Sequence, residues 1–293
     1  MNVTQALQSI NNSFRGSDDN PPTTGSDFSY WLETLNRKQN EWATDDKNVW
    51  KSLFKYEKPN EPGTVDTTAT TTLTGTSTFF GDYLVGDTIT VSGETVRTIA
   101  TITSDTVLTV TVAFSNTAST KTYTHATIIK TGVQSYSLHR NFQHPSDKAF
   151  VANSTDTVEY VIGKPQERIR YTNQVYISSN LPQTITFYDT IDATHNANLI
   201  GGTLKVPGYY IPSDFTTGTD IVTVDDPYWL VMATSAELAQ NENTYTDKSP
   251  DLNAKANALW SKMVNNNRRA QSNFPRQAHT NVNRILDPSG EGN

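Results

Sequence analysis

Between Thr64 and Thr131 about a third of the residues are Thr and only eight are charged. No other stretch of the chain restricts its fold so strongly. Thr is β-branched and stiff at χ1, so it suits a pleated, half-buried surface better than a helix. Asp87-Thr88-Ile89-Thr90-Val91 and Val107-Leu108-Thr109-Val110-Thr111-Val112 alternate apolar and polar residues. That period sends every second side chain to one face of a strand. Ser92-Gly93 and Ser104-Asp105 stand where tight turns belong. The segment reads as a small antiparallel β module of about 65 residues. Glycines flank it at Gly63 and Gly132, the pattern of an insertion into a host domain at an exposed loop.

The period changes on either side. Val3, Ala6, Leu7, Ile10 and Phe14 recur at helical spacing. The run from Gly16 to Pro22 breaks that helix. A second helix is expected from Ser26 or Asp27, either of which could cap it. Its apolar face carries Phe28, Trp31, Leu32, Leu35 and Trp42, and Trp50, Leu53 and Phe54 follow after a polar break. The three Trp are expected to anchor a helical core. Asp226-Pro227 is a cap with Pro at the first helical position and opens Tyr228-Trp229-Leu230-Val231-Met232-Ala233. Ser249-Pro250 repeats that start ahead of a stripe of Leu252, Ala256, Leu259, Trp260, Met263 and Val264 reaching toward Arg269.

From Val133 to about Val224 the chain is β-rich, with strands expected at Thr157 to Ile162, Gln174 to Ile177, Gln183 to Ile191 and Thr203 to Val206. The segment from Leu204 to Pro212 is too rich in proline for a central strand and reads as an extended edge or a surface-crossing arm. From Gln271 to Asn293 no apolar period remains, and the expectation is an extended arm. The fold class is α+β. Its parts are a helical N-terminal region (1–63), the inserted module (64–131), a β-rich continuation of the core (132–224), C-terminal helices (225–270) and the arm (271–293).

Composition removes several classes of function. No stretch approaches the roughly 18 apolar residues of a membrane span. Met1 to Ile10 has neither the basic nor the apolar part of a secretory signal. The 293 residues contain no Cys, so there is no disulfide scaffold, thiolate zinc site or thiol nucleophile. The net charge of −7 argues against a basic nucleic-acid coat. That charge is uneven. From Ala254 to Leu286 there are six bases (Lys255, Lys262, Arg268, Arg269, Arg276 and Arg284) and no acid. With Asp287 and Glu291 after it, residues 1 to 253 carry a net −11. The basic arm can be a solvated helix end, a phosphate contact, or a segment docking on an acidic or grooved protein partner.

No phosphate loop, His-Glu-x-x-His or Gly-x-Ser-x-Gly pattern is present. His139, His144 and Asp147 lie close in sequence, but their spacing matches no familiar metal site. Asp45-Asp46 and Asp225-Asp226 adjoin helix signals and read as caps or turns. No cofactor, metal or catalytic residue is expected, and the chain does not read as an enzyme.

Three stretches carry a family likeness. They are the helix pair Ala6 to Phe14 and Ser29-Tyr30-Trp31-Leu32-Glu33-Thr34-Leu35-Asn36-Arg37; Asp225-Asp226-Pro227-Tyr228-Trp229-Leu230-Val231-Met232-Ala233 through Glu237-Leu238-Ala239; and Ala254 to Arg269 with its trailing arm. Together they resemble the head-to-tail adaptor (connector) proteins of tailed bacteriophages. The module at 64–131 resembles small β modules of phage structural proteins, and its length departs from the smallest adaptors.

The resemblance implies a virion structural protein of the neck, assembled in the host cytoplasm, with no catalysis. Its partners would be the portal protein, copies of itself in a ring of twelve, and tail-tube, nozzle or tail-fibre proteins. Genomic DNA would pass through the channel without sequence-specific binding, and no membrane is involved. The helices would form the ring wall, with Trp31, Leu35, Trp42, Trp229, Leu230, Leu259 and Trp260 as its core. Arg268, Arg269, Phe274, Arg276, Arg284 and Ile285 would dock the arm on the portal. Two other readings remain: another neck or tail component such as a nozzle, and a carbohydrate- or receptor-binding module. The second would use the 64–131 segment, with Tyr123, Phe79 and Phe80 as exposed aromatics.

Overall fold

A computed structural model describes residues 1–16, 20–45, 47–153, 157–163, 173–178 and 182–272. The protein is α+β, and by its internal packing it divides into two compact units. One is Met1–Ser52 together with the chain from Asp214, and the other is Leu53–Ser213. The division differs from the expected one. Residues 132–213 belong with the Thr-rich segment rather than with the helices, and residues 214–224 belong with the helices. Backbone bonds explain the second assignment: Val3 N donates to Asp220 O, Thr4 N to Gly218 O, and Val222 N to Met1 O. Asn36 adds two more, donating to Phe215 O (3.0 Å) and accepting from Phe215 N (2.7 Å).

The helical unit contains α1 (Val3–Phe14), α2 (Gly25–Ala43), α3 (Pro227–Asn241) and α4 (Ser249–Ser272). In α1, Val3, Ala6, Leu7, Ile10 and Phe14 are all buried, as their spacing requires. Asn2 closes a capping box with Gln5, satisfying two backbone donors at once. The start of α2 differs from expectation. Its cap is Thr24, and Ser26 and Asp27 lie inside the first turn. Asp27 still opposes the positive end of the helix dipole there. Asp226 caps α3 by accepting from Tyr228 N at 3.0 Å, with Pro227 first in the helix. Ser249 does not repeat that cap: its hydroxyl donates to Ala236 O (2.9 Å) and ties α4 to α3.

The other unit opens with the two-residue β1 (Phe54–Lys55). Seven strands follow: β2 (Thr64–Thr68), β3 (Thr72–Thr76), β4 (Thr88–Val91), β5 (Arg97–Ser104), β6 (Val107–Val110), β7 (Thr117–Lys121) and β8 (Tyr123–Ala126). They form one antiparallel sheet in the order β7-β2-β3-β6-β5-β4-β8. The alternation read from sequence is realised over Thr88–Val91 and Val107–Val110, whereas Thr111 and Val112 fall beyond β6 and Val112 is exposed. Leu73, Ile89, Val91, Leu108, Val110 and Tyr123 point into the core. Threonines occupy the other face and bond across strands, as the hydroxyls of Thr101 and Thr109 do at 2.7 Å. Gly63 has a positive φ, and a Cβ there would lie 2.4 Å from the Thr76 and Ser77 carbonyl oxygens, so the turn into β2 requires glycine.

After the module come β9 (Ser135–Ser137), β10 (Phe142–Pro145), β11 (Lys148–Ala152), β12 (Thr157–Gly163), β13 (Gln174–Ile177), β14 (Thr184–Phe187), β15 (Thr203–Lys205) and β16 (Gly208–Tyr210). Six of them form the sheet β15-β11-β12-β13-β14-β9, in which only β12 and β13 pair parallel. The remaining sheet is β1-β16-β10. Two expectations change here. The strand expected to reach Ile191 ends at Phe187, before a turn in which Asp192 accepts from Thr194 N and His195 N at 2.7 Å each. The proline-rich segment supplies a central strand after all, because Pro207 and Pro212 flank β16 and leave its N–H groups free to pair.

Candidate functional site

The expected ring-wall residues come together in the helical unit. Trp31, Leu35, Trp42, Trp229 and Leu230 are buried, while Leu259 and Trp260 are half-buried along α4. Trp260 joins two arms of an aromatic chain. Its ring centroid lies 5.2 Å from Trp50 and 5.0 Å from Trp229, and Trp50 lies 5.7 Å from Trp42. Trp50 Nε1 donates to Trp42 O at 2.6 Å, so the indole satisfies its polar edge inside the core. Trp229 and Trp260 also line a groove of about 340 Å³ with Lys38, Glu41, Asp45, Ala233 and Asn253.

The expected docking residues are only partly described. Arg268 and Arg269 are exposed near the end of α4. Phe274, Arg276, Arg284 and Ile285, with the arm from 273, lie outside the described residues. Lys255 and Lys262 are exposed on the same helix, whose one acid, Asp251, pairs with Lys255 at 2.7 Å. Lys255, Lys262 and Arg269 are spaced by seven residues. That places them within about 40° of one another around the helix, over roughly 21 Å.

The aromatic residues considered for carbohydrate binding are not presented to solvent. Phe80 and Tyr123 are buried in the seven-stranded module, and Phe79 is half-buried beneath Arg140, whose guanidinium lies 3.7 Å from the ring centroid. His139, His144 and Asp147 also separate. His139 is buried, whereas His144 and Asp147 are exposed. Among the described residues no group of three His, Asp or Glu side chains is arranged to hold a metal ion.

His139 instead belongs to a buried polar cluster that motif searching does not reveal. Glu61, Asp87, His125 and His139 are all nearly excluded from solvent. Asp87 accepts from Leu84 N (3.0 Å) and Ile128 N (3.1 Å), pairs with Lys130, and stands 2.8 Å from His125 Nε2. Lys58 Nζ is 2.9 Å from His125 Nδ1 and 2.6 Å from Glu61 Oε1. Tyr83 stacks on His125 with ring centroids 3.8 Å apart.

Burial opposes ionisation of both carboxylates, but their partners outweigh it. Lys58 holds the Glu61 carboxyl below its usual range, and His125 and Lys130 do the same for Asp87. Burial drives His125 and His139 below the ordinary imidazole value, with the Lys58 ammonium adding to the effect. It drives the Tyr83 phenol upward, so that ring stays neutral. The signal available in sequence was a polar set in an otherwise charge-poor segment; its members span residues 58 to 139, too far apart for a motif. Comparison with protein-family models finds no match for the chain, and comparison with curated proteins finds none.

Proposed function

We propose that the chain is a non-enzymatic virion protein, a ring adaptor that joins the capsid portal to the tail and surrounds the DNA exit channel. The reading rests on the likeness to phage adaptors. The observation that carries it furthest is the cationic face of α4, Lys255, Lys262 and Arg269, leading into a chain whose next charged residues are also basic. A stripe of this kind suits an acidic protein groove, and a polar arm that orders on docking can wrap its partner. The acidic remainder of the chain suits a channel through which DNA slides without adhering. Ring neighbours would cover surface that a low apolar content leaves available.

Mass photometry of the protein with and without purified portal rings tests this. Full-length chain should bind the portal. A chain ending at Gln271, or the variant Lys255→Glu/Lys262→Glu, should lose binding while keeping its helical circular dichroism. Absence of portal binding by the full-length chain overturns the adaptor reading. Full retention of binding by both altered forms overturns the docking role of α4 and the arm.

A further inference from the structure

The partners of His125 determine where its proton lies. A carboxylate only accepts, so the nitrogen facing Asp87, Nε2, carries the hydrogen. An ammonium only donates, so Nδ1, facing Lys58 Nζ at 2.9 Å, presents its lone pair. The ring is therefore a neutral imidazole with both nitrogens committed. A second proton can go only to Nδ1, where the Lys58 ammonium already sits. Glu61 Oε1 waits 3.7 Å from that same nitrogen. With Lys58 withdrawn, an imidazolium would have Asp87 on one side and Glu61 on the other. Lys58 has somewhere to go. Its side chain is a quarter exposed and lines a pocket of about 90 Å³ together with His125 and His139.

We propose that Lys58, His125 and Glu61 form an acid-operated latch: protonation of His125 expels the Lys58 ammonium, hands Glu61 to the imidazolium and loosens the segment 58–61 that leads into the seven-stranded sheet. At neutral pH that segment is held by Lys58 to His125 and by Glu61 N to Tyr123 O at 2.9 Å.

The groups facing the latch come from several parts of the unit. The connection from β3 to β4 supplies Asp82, Tyr83 and Asp87, and β8 supplies Tyr123. The chain leaving the sheet supplies Lys130 on Asp87. The segment after β9 supplies His139, with the Tyr210 ring edge against it, and Arg140 on Asp82. His139 is locked in the same manner: Nδ1 accepts from Asn141 N (3.0 Å), and Nε2 donates to Asn60 O (3.1 Å) with Glu61 Oε2 beyond at 3.5 Å.

The folded imidazoles titrate below the ordinary value of 6.5, so the stability they confer is complete above it and is lost as pH falls. Glu61 and Asp87 act in the same direction, but from the lower ordinary values of 4.5 and 3.8. As pH falls, the histidines are therefore the first of these groups to withdraw stability from the closed latch.

Hydrogen exchange of the full chain at pH 7.5 and 5.0, corrected for intrinsic rates, tests the opening. Protection should fall at 58–61 and 123–130 while α2 and α3 keep theirs. His125→Gln can donate to Asp87 and accept from Lys58 without titrating, and should suppress the change. In a second measurement, Lys58→Met frees Nδ1, and the His125 resonance should titrate about one pH unit or more higher. Equal protection at both pH values, an undiminished opening in H125Q, or an unmoved His125 titration in K58M overturns the latch.

Discussion

Trp50 in the helical unit and His125 in the β unit are both flat, ring-bearing and buried, yet their surroundings have almost nothing in common. Trp50 stands among other rings, Trp42 and Trp260, and spends its single polar atom on a backbone carbonyl. Among the described residues, none of the histidines lies in its unit. His125 stands among a carboxylate, an ammonium and a phenol, with a second carboxylate within 4 Å. Apolar packing draws its stability from area removed from water and needs no particular protonation state. A buried ionic cluster repays its desolvation only while every partner is in place and correctly protonated. One core is indifferent to pH and the other is conditional on it.

The comparison can be broken most severely at Trp50. Trp50→Ala should cost about 3–5 kcal/mol in the helical unit, by loss of transfer energy and creation of a cavity. Urea unfolding followed by tryptophan fluorescence reads this unit selectively, because all five Trp lie within it. The loss should be equal at pH 7.5 and 5.0. A strongly pH-dependent loss would mean that the aromatic core is not independent of titration.

A smaller effect is expected at Asp226. Asp226→Ala removes the cap from α3 and should cost about 1 kcal/mol in the same assay. Asp226→Asn should recover most of it, since an amide oxygen can accept from Tyr228 N.

The smallest effect sharpens the contrast between exposed and buried charge. Lys255 pairs with Asp251 four residues earlier on the surface of α4. Lys255→Ala should cost only about 0.3–0.5 kcal/mol, shrinking as salt is added. The corresponding pair of Lys130 with Asp87 has its acid buried. A cost at Lys255 as large as that of a cap would show that α4 depends on its surface charges for folding.

Much of the architecture was legible in local pattern. The apolar positions of α1 follow directly from their spacing, the Asp226-Pro227 start of α3 is where the cap rule places it, and β12 and β13 begin at the expected residues. Part of the seven-stranded sheet follows from alternating Thr and aliphatic residues, at Thr88–Val91 and Val107–Val110. What escaped depended on distant partners. The centrality of β16 depends on which strands arrive on its two sides. The buried cluster needed residues from the approach to the sheet, its interior and the chain beyond it.

The sequence by itself determined the periods: which faces of the helices are apolar, which strands alternate, where the chain turns, and that positive charge gathers toward the C-terminal end. Those properties depend on neighbours within a few residues, where backbone geometry imposes the repeat. Only the tertiary structure decided that residues 53 to 213 pack as one unit, that Phe80 and Tyr123 are core, and that His125 lies between Asp87 and Lys58. The physical reason is that a buried charge must find its partner through space, and nothing in the local repeat records where that partner will be.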